Sequence, residues 1–227
     1  MAINKDSYNK IKKNSIQNNA VLVAVSKFKP IEDIQSLYDL GHRDFGENFV
    51  QELLLKYEAL PKDIRWHYIG HLQSNKVKYI APFIHLIHGV DSEKLLAEIN
   101  KQAAKNNLVI DCLLQVHIAE EETKYGFNSQ ELKQLTKNIK DESLYPNVMI
   151  CGLMGMASFS DDKEKVKNEF KNLKALFEYT KDHCSTNNIH CSILSMGMSG
   201  DYEIALDEGS TMIRIGSLLF GDRNTHP

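Results

Sequence analysis

Val21-Leu22-Val23-Ala24-Val25-Ser26-Lys27-Phe28-Lys29-Pro30 contains one turn of the pattern that runs through this chain: an apolar run, a short polar turn and a proline able to open a helix. Proline suits the first helical position because the N–H it lacks would have no partner there. Beyond it Ile31, Ile34, Leu37 and Leu40 form one apolar stripe at helical spacing, and Gly41 is placed to end it. An apolar run without alternation reads as a strand covered on both faces, and a helix following such a strand is the repeating unit of a parallel sheet.

The unit recurs. A weaker strand from Arg43 to Phe45 turns through Gly46-Glu47-Asn48 into a helix carrying Phe49, Leu53, Leu54 and Tyr57, and Trp66-His67-Tyr68-Ile69 is a third strand before Gly70. Ile84 to Val90 is the fourth, followed by a helix with Leu95, Leu96 and Ile99 that Ser92 can cap; Leu108 to Val116 is the fifth. A loop from His117 to Gly126 leads to a helix with Leu132, Leu135 and Ile139, and Val148 to Met154 is the sixth strand. The plainest helix carries Val166, Phe170, Leu173 and Phe177, with Asp161 or Asp162 to cap its start. Ile193-Leu194-Ser195 is the seventh strand, a short helix covers Tyr202 to Leu206, and Thr211 to Ile215 is the eighth. Eight units in 227 residues, close to the ~250 typical of the fold, predict an α/β protein: a single TIM (β/α)8 barrel domain over residues 1–227, with the polar segment 1–20 as a peripheral N-terminal helix.

Composition narrows the partners. A formal charge of -3 gives no positive field for nucleic acid or an anionic membrane, and Lys10-Ile11-Lys12-Lys13 is too short to change that. The first twenty residues lack the apolar segment of a signal peptide, no stretch approaches a membrane span, and a cytoplasmic location is expected. Cys112, Cys151, Cys184 and Cys191 share no C-x-x-C spacing; reduced thiols are expected, with Cys112 and Cys151 as small core residues.

In such a barrel the ligand site lies where the strands end. Lys27 follows the first strand, Asn48 the second, and His71 with Gln73, Ser74 and Asn75 the third. Strand seven ends in Ser195-Met196-Gly197-Met198-Ser199-Gly200-Asp201, and strand eight in Arg214-Ile215-Gly216-Ser217. Loops after strands seven and eight commonly bind phosphate in barrels, because glycines let backbone N–H groups approach and serines add donors. Taken singly each feature has a plainer reading: Lys27 in a solvated loop, the glycines as simple turns, Arg214 in a structural ion pair. Together, a strand-end lysine opposite a phosphate cradle suits a ligand with an aldehyde at one end and a phosphate at the other, a description that pyridoxal 5′-phosphate (PLP) fits. An arginine against the pyridine nitrogen would keep that nitrogen unprotonated and weaken the ring as an electron sink. Lys29 shares strand parity with Lys27 and could stand in for it.

Six blocks then carry a resemblance. Val23-Ala24-Val25-Ser26-Lys27-x-Lys29-Pro30, Phe45-Gly46-Glu47-Asn48-x-Val50-Gln51-Glu52, Trp66-His67-x-Ile69-Gly70-x-Leu72-Gln73-x-Asn75-Lys76, Gly152-Leu153-Met154, Leu194-Ser195-Met196-Gly197-Met198-Ser199 and Arg214-Ile215-Gly216-Ser217-x-x-Phe220-Gly221 resemble, in order, the YggS/PROSC family of pyridoxal phosphate homeostasis proteins. The resemblance implies a fold-type III PLP barrel like the N-terminal domain of alanine racemase. It puts PLP covalently on Lys27 as an internal aldimine, Arg214 at the pyridine nitrogen, Ser199, Gly216 and Ser217 on the phosphate, and Asn48 beside the cofactor. The chain departs from the pattern at His117, where many relatives carry asparagine, at Thr123, where serine is common nearby, and at His71, where proline is common; a solvent-facing loop is the expectation for His71.

The function implied is non-catalytic: storage, buffering or delivery of PLP, without metal and without catalytic residues. A monomer is expected, with PLP-dependent apo-enzymes as recipients. A racemase of this fold takes its second acid/base from a separate β-domain, and no such domain follows before Pro227. The rivals are a small PLP-dependent racemase or lyase, whose base would be Lys27 or His71, and a Schiff-base aldolase barrel without PLP, for which no carboxylate pair is evident.

Overall fold

The computed structural model describes residues 3–119, 125–139, 143–183 and 186–221. Eight parallel strands close into a barrel in sequence order. They are β1 Val21–Val25, β2 Asp44–Glu47, β3 Arg65–Tyr68, β4 Leu86–Val90, β5 Ile110–Gln115, β6 Val148–Met154, β7 Ile189–Ser195 and β8 Met212–Ile215. Around them lie α1 Lys5–Gln17, α2 Ile31–Asp39, α3 Val50–Ala59, α4 Val77–Ile80, α5 Glu93–Lys105, α6 Ser129–Asn138, α7 Lys163–His183, α8 Tyr202–Asp207 and α9 Ser217–Phe220.

The local signals act largely as the sequence predicts. After α2, Gly41 takes φ +84, its N–H bonding Tyr38 O at 2.8 Å while His42 N–H bonds Leu37 O at 3.1 Å, the paired bonds of a Schellman stop. Ser92 caps α5 by accepting from Leu95 N, and Asp162 caps α7 by accepting from Glu164 N and Lys165 N. The N-terminal segment is less peripheral than its polarity suggests, since α1 buries Tyr8 and Ile11 against β1 and α9, and Asn4 N–H bonds Leu219 O at 2.8 Å.

Six of the eight strands differ in extent from the predicted ones, β7, β2 and β5 the most. β7 begins at Ile189 and not at Ile193, because His190 and Ser192 face solvent while Ile189 and Cys191 are buried. β2 is shifted to Asp44–Glu47, both carboxylates being buried where the barrel supplies partners for them. β5 is shorter at its start, with Leu108 and Val109 exposed outside the sheet. Cys112, Cys151 and Cys191 are buried, whereas Cys184, Thr123 and Pro227 lie outside the described residues.

The barrel has a seam. β1 and β8 pair over four positions, Val21↔Met212 to Ala24↔Ile215, but β7 and β8 register only at Ser195↔Met212. Side chains stitch the gap: Ser210 Oγ donates toward Met196 O at 2.8 Å and Met212 O at 3.1 Å, and Leu194 N–H bonds Thr211 Oγ1 at 2.8 Å.

Candidate functional site

The strand ends surround a cleft of about 640 Å³ to which Lys27, Asn48, Ser199, Arg214, Gly216 and Ser217 all contribute. Its volume suits a small cofactor. Val25, Ile69, Met156, Phe159 and Met198 are the apolar part of its lining.

Lys27 sits in a turn beyond β1, closed by Lys29 N–H on Ser26 O at 3.0 Å, with Phe28 at φ +62. A bulky residue rarely adopts that conformation, so the surroundings must hold it. Phe28 N–H donates to Glu52 Oε1 at 2.7 Å. Lys56 Nζ spends its three donors on Ser26 O at 2.7 Å, Glu47 Oε1 at 2.7 Å and Glu52 Oε1 at 2.6 Å, and Ser26 Oγ donates to Glu47 Oε1 at 2.6 Å. Both ends of the lysine-bearing turn are thus tied to one buried ion cluster. Burial pushes the Glu47 carboxyl up to about 7, with Lys56 opposing that rise.

The chain turns before Lys29, so strand parity does not carry over to it. Lys29 also borders the cleft, but its Nζ donates to Phe220 O at 2.9 Å and Gly221 O at 3.0 Å, at the C-terminal end of α9.

Across the cleft, Arg214 on β8 is buried, and its backbone N–H bonds Gly197 O at 3.0 Å. Gly197 has φ +94, and a Cβ there would lie 2.6 Å from Ala205 Cβ, so only glycine lets the seventh loop pack this close to α8 while its carbonyl meets the eighth strand. Arg214 Nη1 donates to Ser195 Oγ at 2.7 Å and Nη2 to Gly155 O at 3.1 Å. Of the five guanidinium N–H groups, three therefore have no acceptor among the described residues, on a side chain that borders the cleft. Burial lowers the guanidinium to about 10 against the pull of Asp201, which leaves it a cation at neutral pH.

The seventh and eighth loops meet where Gly216 N–H donates to Ser199 Oγ at 3.3 Å, with Ser217 opening α9 beside them. Asp201 folds back so that its Oδ1 accepts from Met198 N–H at 2.6 Å, which shapes the loop carrying Ser199. A Cβ on Gly216 would meet Val25 at 3.4 Å, an ordinary contact, so the protein itself does not demand glycine there. On the opposite wall, Asn48 Oδ1 is buried without a hydrogen-bond partner among the described residues, while the residue's carbonyl accepts from Tyr68 OH at 2.8 Å. A buried amide oxygen of this kind calls for a donor from a ligand.

His71 is exposed, stacks on Tyr125 with ring centroids 4.1 Å apart and bonds Asp91 Oδ2 at 2.8 Å, outside the cleft lining. His117 likewise lies outside that lining, its N–H on Phe127 O at 3.0 Å. Asp44, His67 and His85 bring possible metal-ligating atoms within 4.8 Å of one another, but Arg65 occupies both Asp44 oxygens and fills the cation's place. Sequence reasoning missed Glu47, Glu52 and Lys56 as the clamp, and Ser195 and Gly155 as the grip on Arg214. Glu47, Glu52 and Ser195 stood inside the recognised blocks, but nothing in a linear reading gave their partners.

The family model described as alanine racemase, N-terminal domain, matches residues 5–224. A pyridoxal phosphate homeostasis protein of Aquifex aeolicus is 43% identical over 208 residues, 91% of this chain and 89% of the relative. The protein of that name from Homo sapiens is 36% identical, over 89% of this chain and 76% of its own length. The structure of PipY from Synechococcus elongatus with PLP bound superposes with a TM-score of 0.84 at 29% identity, covering 95% of this chain and 99% of PipY. With a family model matched over residues 5–224 and a relative 43% identical over 91% of its length, the chain belongs to the pyridoxal phosphate homeostasis protein family.

Proposed function

We propose that this chain binds PLP through Lys27 and holds it for storage or transfer to PLP-dependent apo-enzymes, without turning over amino acids. The carrying observation is the convergence on one cleft of a lysine, an arginine with unspent donors and the Ser199–Gly216–Ser217 corner. When bound, PLP supplies an aldehyde able to condense with a lysine amine, a phosphate, and a pyridine nitrogen. Ser199, Ser217 and the backbone of Gly216 would hold the phosphate, Arg214 would donate to the ring nitrogen, and the orphaned Asn48 Oδ1 would accept from a polar group of the ring.

The non-catalytic part of the reading is supported by what surrounds the lysine. An arginine that keeps its proton gives a weak electron sink. His71, the rival acid/base, is occupied by Asp91 and Tyr125 away from the cleft. The reading extends to a monomeric single-domain protein of the cytoplasm; no described helix is long and apolar enough to cross a membrane.

The test incubates PLP-loaded protein with the standard amino acids, following chirality and products, alongside transfer of PLP to an apo-enzyme. Transfer without product is expected. Turnover of about 1 s⁻¹ or faster would overturn the carrier reading in favour of a small racemase or lyase.

A further inference from the structure

Arg214 is one end of a hydrogen-bonded chain that crosses the barrel. Its Nη1 donates to Ser195 Oγ at 2.7 Å, Ser195 Oγ lies 3.0 Å from His88 Nδ1, His88 Nε2 lies 3.0 Å from His67 Nδ1, and His67 Nε2 lies 3.1 Å from Asp44 Oδ1. Arg65 closes the far end, its Nε on Asp44 Oδ1 at 2.7 Å and its Nη2 on the other carboxylate oxygen. The members come from β8, β7, β4, β3 and β2, and Ser195, His88 and His67 are wholly buried.

Counting protons gives the chain a direction. The Arg214 guanidinium can only donate, so Ser195 Oγ accepts from it. Burial raises the Asp44 carboxyl, but His67 and Arg65 outweigh that and hold it well below the usual range, so Asp44 only accepts and His67 Nε2 must carry a proton. Burial, with His67, Arg214 and His85 adding to it, pushes His88 well below the usual histidine range, leaving it neutral with one N–H. If His67 Nδ1 is bare, it accepts from His88 Nε2–H, His88 Nδ1 accepts the Ser195 hydroxyl proton, and every group from Arg214 to Asp44 is satisfied. The opposite sense, with two protons on His67, aims His88 Nδ1–H at Ser195 and leaves the serine proton without an acceptor among the described residues, at an atom shut off from water. A buried hydroxyl without an acceptor is costly.

We infer that Ser195, His88 and His67 are positioning residues for Arg214: a one-directional run of donors ending on Asp44 turns the Ser195 lone pairs to the guanidinium and fixes which of its N–H groups face the cleft. Each bond in such a run strengthens its neighbours, so the Asp44 charge at the floor of the barrel reinforces the grip on Arg214. The inference rests on the proposed PLP site for its consequence but not for its geometry.

The test has two arms. In the PLP-free wild-type protein, ¹⁵N spectra of the imidazoles should show His67 and His88 both protonated at Nε2 and bare at Nδ1. A His88 protonated at Nδ1 would overturn the inference, whatever the variants do. In the second arm, His88→Phe and Ser195→Ala should each weaken PLP retention about tenfold, the cost of one hydrogen bond to a charged group, and shift the absorption of the bound cofactor. The double variant should be no worse than either single one, because the two residues act on Arg214 in series. Losses that multiply, or single variants that keep wild-type retention and absorption, would overturn the positioning role. Failure of the wild-type protein to bind PLP at all would instead refute the proposed function while leaving the imidazole spectra to judge the chain.

Discussion

The lysine and the arginine that line the cleft, Lys27 and Arg214, are held by opposite means. Lys27 is anchored through its backbone: Lys56, Glu47 and Glu52 grip Ser26 and Phe28 on either side of it with charged groups. Arg214 is anchored through its side chain, by a serine hydroxyl and the Gly155 carbonyl. The difference matches the demands that the proposed function would place on each residue. A nucleophile that must form and release a bond needs a fixed base and a movable amine, whereas a group that sets the electronic character of a ring needs a fixed head. Burying charges behind Lys27 is expensive unless they are paired, and with one oxygen of Glu52 and one of Glu47 on a single ammonium, Lys56 is the member whose loss exposes the cost.

The largest contrast should come from Lys27 itself. Lys27→Ala should abolish the covalent adduct trapped by borohydride, with no adduct arising on Lys29, whose ammonium is engaged by the Phe220 and Gly221 carbonyls; mass spectrometry of the reduced protein reads this directly. An adduct transferred to Lys29 would show that the clamp does not distinguish the two lysines.

Next, Lys56→Met should destabilise the fold by about 3–5 kcal/mol, the usual cost of stranding a buried charge, as measured by denaturant unfolding. The pH dependence sharpens the point. The folded-state pKa of Glu47 is raised to about 7 by burial, so the folded protein holds a proton that the unfolded chain releases near the ordinary value of 4.5. This group therefore favours folding below about 4.5, and that contribution is lost as pH rises through about 7. Without Lys56 the loss should continue to higher pH, so the gap between Lys56→Met and wild type should widen from pH 6 to pH 8. Glu47→Gln in the Lys56→Met background should remove that widening.

The smallest effects belong to the phosphate corner. Gly216→Ala adds a Cβ that the protein accommodates, so unfolding should be nearly unchanged while PLP retention falls about tenfold. Ser217→Ala should cost about 1 kcal/mol or somewhat more in PLP affinity, measured by equilibrium dialysis, and inorganic phosphate should compete with PLP in both proteins. Equal losses in folding and retention for Gly216→Ala would mean that the corner is structural.

Much of this was legible because parallel barrels write their strands as apolar runs and their sites as polar residues just after them. Lys27, Arg214 and the Ser199–Gly216–Ser217 corner could be found that way, and the family blocks assigned their roles. β7 was cut short in the reading because its first half alternates His190 and Ser192 with buried residues, which breaks the continuous run. The supports were illegible for a different reason. His88 and Ser195 are 107 positions apart, and only the closure of the barrel makes them neighbours. Lys56 carries no signal of its own in the sequence, and only the fold sets Glu47 against it.

The seam between β7 and β8 has a consequence for ligand traffic. Ser199 and Ser217 stand on opposite sides of it, so a phosphate held by both would staple together the two strands that share the fewest backbone pairs. Where a sheet is thinly paired, local opening is cheapest, and a ligand that binds only the closed form suppresses that opening by mass action. Amide hydrogen exchange at Met196 and Arg214, which bond across the seam to Met212 O and Gly197 O, should therefore slow on PLP binding more than exchange within the four-position β1–β8 pairing. Breathing of this one joint would then set how fast the cofactor can leave.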